Sequence, residues 1–339
     1  VETVAKKTSE FNPVKSLTKT LKADMDQVNE IILKEMRSDV ALIPELAGYL
    51  IASGGKRIRP LLTLASAALF GYQGIRAQRL AACIEFIHTA TLLHDDVVDE
   101  SAQRRGKDSA NEVFGNQASV LVGDFLFSRA FQLMVQDGSL DVLRILSTAS
   151  AVIAEGEVLQ LLTTNNISTS FEEYLKVIES KTAALFAAAT EVGAVITEQD
   201  QEITEAIKDY GMCLGVAFQI IDDILDYKSN SDILGKEAGD DFKEGKMTLP
   251  VLLTLDEGTQ AFWHRVIVDK NQKEGDFKQA LDYMKEKDAF ARSVKIAYDY
   301  AEKAKQALQK ISSRYPNISD VTLYADLYAL VDYVIERDF

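Results

Sequence analysis

Apolar residues recur at spacings of three and four along most of this chain, the period that gathers them on one face of an α-helix. The pattern predicts helices over Arg79 to Val98, Ala118 to Val135, Leu140 to Leu162, Tyr174 to Ile196 and Ile203 to Tyr227. No stretch shows the strict alternation of a half-buried strand. The five prolines are Pro13, Pro44, Pro60, Pro250 and Pro316, so Leu61 to Leu249 is free of the strongest helix breaker. Ser109 with Glu112 and Ser170 with Glu173 have capping-box spacing, and Gly71 and Gly138 follow apolar runs where a helix is expected to stop. The expected fold is all-α, as a single domain over residues 1–339. Lys228 to Met247, rich in Gly, Asp and Lys, reads as a long polar loop, a type that is often functional. The alanine-rich stretch Ala183 to Thr190 lets helices approach closely.

Composition narrows the class. Hydrophobic residues make up 47% of the 339 and charged residues 26%, ordinary for a globular protein with ample core. The formal charge of −15 argues against a broad basic surface for nucleic acid, so an anionic ligand must be met by metal ions or by local clusters of Lys and Arg. There is no run of about 18 apolar residues, so no membrane span is expected. Cys83 and Cys213 both fall in apolar helical patterns, where reduced thiols are the usual outcome. The first residues carry neither a signal-peptide core nor an Arg-rich transit pattern, and a cytoplasmic location is expected.

Two acidic segments carry the chemistry. DDVVD, Asp95 to Asp99, and DDILD, Asp222 to Asp226, lie on two separate predicted helices inside apolar sequence, IHTATLLHDDVVD and GVAFQIIDDILDY. Positions i, i+1 and i+4 sit close to one helix face, so Asp95, Asp96 and Asp99 are expected to aim at a common point, as are Asp222, Asp223 and Asp226. Carboxylates bracketed by core residues repel one another, and hard divalent cations relieve that repulsion. Mg²⁺ fits best, because it takes a few carboxylates together with substrate phosphates. Cations follow each motif. GGKRIRP, Gly54 to Pro60, presents Lys56, Arg57 and Arg59 near a helix N-terminus, a position that attracts anions. Arg104 and Arg105 come directly after the first motif, placed to clamp a diphosphate; Lys236 and Lys246 come after the second. The expected site is a Mg²⁺-diphosphate site between two helices.

These segments, taken with LVGDFL, ESKTAALF and GKEAGDDFKEGKMTLP, resemble in kind and order the trans-polyprenyl diphosphate synthases, over about Gly54 to Pro250. That family lengthens allylic diphosphates with isopentenyl diphosphate. The resemblance implies an isoprenoid-synthase-type helical bundle around a large central cavity, and a homodimer. It implies that Asp95, Asp96, Asp99, Asp222, Asp223 and Asp226 surround the Mg²⁺ ions. Arg104, Lys181, Lys236 and Lys246 would contact the allylic diphosphate, Thr182 and Gln219 would line the reacting region, and Lys56, Arg59, His88 and Arg105 would hold isopentenyl diphosphate. His94, beside Asp95, has no such role implied. Glu157 stands where many family members carry Gln.

The resemblance also bears on product length. In that family a bulky aromatic at the fifth or fourth residue before the first Asp closes the pocket early. Ala90 and Thr91 stand there, both small, with Ile87 as the next wall and Phe131 on the next helix as a candidate floor. A long-chain product of about eight to ten units is expected, as in quinone side chains, and an extended eight-unit tail needs a tunnel of about 40 Å. A shorter-chain synthase is the alternative product class. A terpene cyclase of the same helical class would need neither GGKRIRP nor a second DDxxD, and a catalytically silent subunit would be expected to have lost motif residues that are all present here. The P-loop pattern GxxxxGKS/T and CxxC pairs are absent.

Overall fold

The computed structural model describes residues 11–52, 54–104, 106–228, 239–315 and 318–337. The five predicted helices are present, with their ends shifted by up to three residues. They are α5 (Arg76–Val98), α7 (Asn116–Asp137), α8 (Leu140–Thr163), a run of α9 (Phe171–Ile178), a π turn (Glu179–Ala183) and α10 (Ala184–Val195), and α11 (Gln201–Lys228). Before them come α1 (Pro13–Thr20), α2 (Lys22–Glu35), α3 (Leu42–Ala52) and α4 (Ile58–Leu69), and the five-residue α6 (Ala110–Phe114) precedes α7. After them come the short α12 (Asp240–Glu244), α13 (Leu249–Leu252) and α14 (Gln260–Trp263), then α15 (Asp276–Glu286), α16 (Ala289–Arg314) and α17 (Val321–Ile335). The only strands among the described residues are a two-residue ribbon, Gln103–Arg104 against Lys107–Asp108.

Local signals explain most helix ends. The Ser170 and Glu173 capping box forms in full at α9. Gly138, at φ 77°, closes α7 in the left-handed conformation that glycine adopts without a Cβ clash. The expected capping box at Ser109 does not form. Its hydroxyl instead donates to the carbonyl of Ser101, 2.6 Å away, and ties the ribbon to the end of α5.

Helices α4, α5, α10, α11 and α16 share the main core, with α1 packed against α17 so that the two ends of the described chain meet. A smaller cluster around Trp263, Tyr227 and Phe242 sits under the segments that follow the second acidic motif. The π turn and α10 pack closely on α11. A Cβ at Gly215 would lie 2.6 Å from Ala183 Cα, and one at Gly211 would lie 2.5 Å from the carbonyl oxygen of Phe186. Alanine gains about 1 kcal/mol over glycine in a helix, but an overlap with backbone that cannot move aside costs about 1–3 kcal/mol. Gly215→Ala is therefore expected to lower Tm, measured by thermal unfolding, and to reduce activity with it, because Ala183 closes the π turn that carries Lys181 and Thr182.

Candidate active site

Both acidic motifs face one cavity of about 660 Å³. From α5 it is lined by His88, Thr91, Asp95 and Asp99, and from α11 by Gln219, Asp222, Asp223 and Asp226. The π turn supplies Lys181 and Thr182, and α8 supplies Glu157. The extra residue of a π turn shifts the helical register locally, and such turns recur at functional sites. Here it brings two consecutive side chains, Lys181 and Thr182, to the wall. Thr182 donates to Gln219 at 2.8 Å.

Two lysines sit among the carboxylates around the first motif. Lys181 lies 3.6 Å from Asp95 and 2.7 Å from Glu157. Lys246 lies 3.3 Å from Asp99 and 3.7 Å from Asp241, and pairs with Glu244. Burial works against both ammonium groups, yet the carboxylates around each outweigh it and raise its pKa. Burial is the first cause in the acids too. It raises Asp95 against the pull of Lys181, raises Asp223 well above the usual carboxylate range with Asp241 adding to the effect, and pushes Glu157 up to about 7. Asp223 is satisfied locally, accepting from Tyr174 Oη at 2.7 Å and from Gln219 Nε2 at 2.8 Å.

The expectation that all six aspartates converge is corrected at Asp96. It is 1% exposed and is clamped by Arg104, with Nη2 and Nε 2.5 and 2.8 Å from the same carboxylate oxygen. Position i+1 lies 100° around the helix from Asp95, which turns Asp96 away from the cavity while i+4 stays on it. Arg104 still reaches the cavity wall beside that pair.

Other expected residues are placed as follows. Arg59 stacks over Phe186, its guanidinium carbon 4.6 Å from the ring centre, with Nη1 3.1 Å from His88 Nε2. Lys56 is exposed, 5.3 Å from the ring centre of Tyr333. Arg57, a non-glycine residue at φ 47°, starts α4 and lies 3.6 Å from Glu85. Arg105 and Lys236 lie outside the described residues. His94 points away from the cavity, stacked on Phe127 and 3.2 Å from the carbonyl of Val120.

Of the three residues expected to set chain length, Thr91 alone lines the cavity. Ala90 and Ile87 are fully buried, on the helical stripe with Cys83 and His94, which contact Ala130 and Val120 of α7. Phe131, the candidate floor, is 42% exposed on the outer face of α7, so it does not close the cavity from within.

Residues without a distinct sequence signal also line the cavity. Asp241 lies near the second motif, where its backbone N–H donates to Asp226 at 3.1 Å. Arg337 reaches the cavity from near the end of the chain, stacked on Phe218 at 4.0 Å and 3.9 Å from Asp222. The GDD within GKEAGDD marks Asp241 as part of an acidic run. Nothing local marks Arg337.

Hard oxygen donors on two opposed helices suit divalent cations. No three such groups among the described residues form a ready-made metal cage. The carboxylates face one another across open space, an arrangement that suits cations bridged to protein by a ligand's phosphates.

Comparison with known proteins agrees with this geometry. Residues 40–284 match the polyprenyl synthetase family model. The chain is 48% identical over 288 residues to octaprenyl diphosphate synthase of Escherichia coli, covering 84% of this chain and 89% of that protein. It is similar to the crystal structure of a decaprenyl diphosphate synthase from Rhodobacter capsulatus, with TM-score 0.89, 49% identity and coverage of 96% of this chain and 99% of that one. It is also similar to a polyprenyl synthase from Caulobacter crescentus complexed with calcium and isoprenyl diphosphate, with TM-score 0.90, 48% identity and coverage of 96% and 98%. The fold and the site define an all-α isoprenoid-synthase-type protein. The chain belongs to the polyprenyl synthetase family.

Proposed function

We propose that this protein is a Mg²⁺-dependent prenyltransferase of one domain that adds isopentenyl diphosphate to an allylic diphosphate, giving an all-trans product of about eight to ten units. One observation carries the reaction class: a single cavity lined by carboxylates of both DDxxD motifs and by the cations that follow them. Relatives named for octaprenyl and decaprenyl products support the length. The presence of the acidic residues and described cations on one cavity counts against a silent subunit.

When bound, Mg²⁺ stabilises the negative charge that develops on the departing diphosphate. The carboxylates of Asp95, Asp99, Asp222, Asp223 and Asp226 are the groups to hold it, with Asp241 beside them. Lys181, Lys246 and Arg104 bind and orient the allylic diphosphate. Arg59, with Lys56 and His88, binds isopentenyl diphosphate, so that its double bond lies against the ionising carbon. The apolar wall around Thr91, Leu92 and Phe186 excludes water, which would otherwise capture the allylic cation. Incubation with isopentenyl diphosphate, an allylic primer and Mg²⁺, followed by mass analysis of the dephosphorylated products, tests this reading. A series ending near eight to ten units is expected, and no extension of any primer overturns it.

Arg59→Ala separates the two diphosphates. A roughly tenfold or greater rise in KM for isopentenyl diphosphate is expected, with a smaller change for the primer, because charge-assisted hydrogen bonds are lost at one site only. Steady-state kinetics with each substrate varied in turn checks it.

We propose further that the enzyme is a cytoplasmic homodimer. Helices α7 and α8 are long and apolar enough by length and composition to cross a membrane, with 44% and 28% of their most apolar windows buried. Their outer face exposes Leu121, Val135, Leu140, Val158 and Leu162, side by side on two helices of a strongly acidic chain. A second copy of the same face supplies an apolar complement. Leu121→Glu with Leu162→Glu is expected to convert a dimer to a monomer by light scattering; a dimer that persists moves the interface elsewhere.

A further inference from the structure

The mechanism leaves Glu157 without a task. It sits on α8 at the cavity wall, and its Oε2 accepts from Lys181 at 2.7 Å. Its other oxygen is buried with no hydrogen-bond partner. Lys181 is nearer to Glu157 than to Asp95, at 2.7 against 3.6 Å. A half-buried carboxylate carries a cost unless it is paired, so its place beside two other acids calls for a physical account.

The register of this contact is built in. A Cβ at Gly156 would fall 2.7 Å from Ser180 Cβ and 2.9 Å from the backbone nitrogen of Lys181, so α8 lies directly on the π turn at the residue before Glu157. The glycine permits that approach, and the π turn directs Lys181 into the gap between α8 and α5. An ammonium with two carboxylates in reach neutralises chiefly the nearer one. With Glu157 as the nearer partner, Asp95 keeps a longer, weaker contact and more of its charge remains available to a divalent cation.

We propose that Glu157 is a positioning residue for Lys181, drawing its ammonium away from Asp95 so that carboxylate and ammonium engage the metal and the allylic diphosphate separately. This rests on the reading that Asp95 and Lys181 serve the allylic site. Glu157→Gln is nearly isosteric and still accepts a hydrogen bond, but it lacks the charge that holds Lys181. Lys181 then moves toward Asp95, and metal and primer must displace it.

The test uses the full chain with Glu157→Gln, Lys181→Ala and the double variant, each checked for folding by circular dichroism. Glu157→Gln is expected to raise about fivefold both the Kd for Mg²⁺, measured by isothermal titration calorimetry with an unreactive primer analogue, and the primer KM, the difference between a charged and a neutral acceptor, with the KM for isopentenyl diphosphate changed by less than about twofold. Because Glu157 acts through Lys181, the double variant should be no worse than Lys181→Ala alone. Independent losses that multiply in the double variant would mean that Glu157 touches metal or substrate directly, which overturns the proposal. So would an unchanged Glu157→Gln beside an impaired Lys181→Ala. If Lys181→Ala itself leaves the primer KM unchanged, the reading of the allylic site fails, and the proposal with it.

Discussion

Asp95→Ala is expected to lower turnover by about 10²-fold or more while making the protein more stable, and Asp96→Ala is expected to do the reverse to stability. The two residues are neighbours in one motif, and the structure gives them opposite energetics. Burial raises the pKa of Asp95 despite Lys181 nearby. A group whose folded pKa is raised contributes stability below its unfolded pKa, near 3.9 for Asp, and loses it as pH climbs through the folded value. At neutral pH Asp95 therefore burdens the fold, and removing it relieves the cost of its burial and the repulsion from Asp99. Asp96 is a buried partner of Arg104 through two short hydrogen bonds. Its removal leaves Arg104, 25% exposed, without the carboxylate that it clamps, at a cost of about 3 kcal/mol. Thermal unfolding without added Mg²⁺ reads the contrast: Tm rises for Asp95→Ala and falls for Asp96→Ala. Near-normal turnover by folded Asp95→Ala would remove the metal role from the first motif, and equal Tm shifts of one sign would remove the distinction drawn here.

That contrast shows what was and was not legible in the sequence. The long helices were readable because burial on one face imposes a period of three to four on apolar residues, and this period survives whatever else the helix does. The pairing of the two acidic motifs was readable for the same reason, since both sit inside such runs. The direction of each carboxylate was not. Treating i, i+1 and i+4 as one face is adequate for a patch, but 100° per residue separates Asp96 from Asp95, and a cation eight residues on, Arg104, captured it. The π turn at Glu179–Ala183 left no trace in the pattern, because one extra residue in a helix changes its phase without changing its composition. Ser109 had capping-box spacing, yet its hydroxyl donates instead to the carbonyl of Ser101, between α5 and the ribbon. Arg337 reaches the cavity through the packing of α17, a long-range relation with no local signature.

Product length is the property in which a single side chain is expected to have the largest visible effect, and the structure points to Thr91 for it. Residues four and five before Asp95 differ by 100° in direction. Four before lies about 40° from Asp95 and lines the cavity, while five before lies about 140° away on the stripe packed against α7. Thr91 is half-buried, its hydroxyl returned to the carbonyl of His88 at 2.9 Å, so its side chain marks the wall one turn below the cavity-facing carboxylates. Phenylalanine at this position projects into space a growing tail must cross, and it leaves the diphosphate-binding residues in place. Thr91→Phe is expected to retain the first condensations and to stop at about three or four units, one turn of helix rising about 5.4 Å, close to one five-carbon unit. Ala90→Phe is the informative companion. Ala90 is fully buried, and forcing a ring into that packing costs about 1–3 kcal/mol, so it is expected to lower Tm as well as shorten any product by shifting α5 against α7. Mass distributions of the dephosphorylated products from both variants and the parent decide the matter. A parental profile from fully active Thr91→Phe would show that the tail leaves the cavity by a path that does not pass this face of α5.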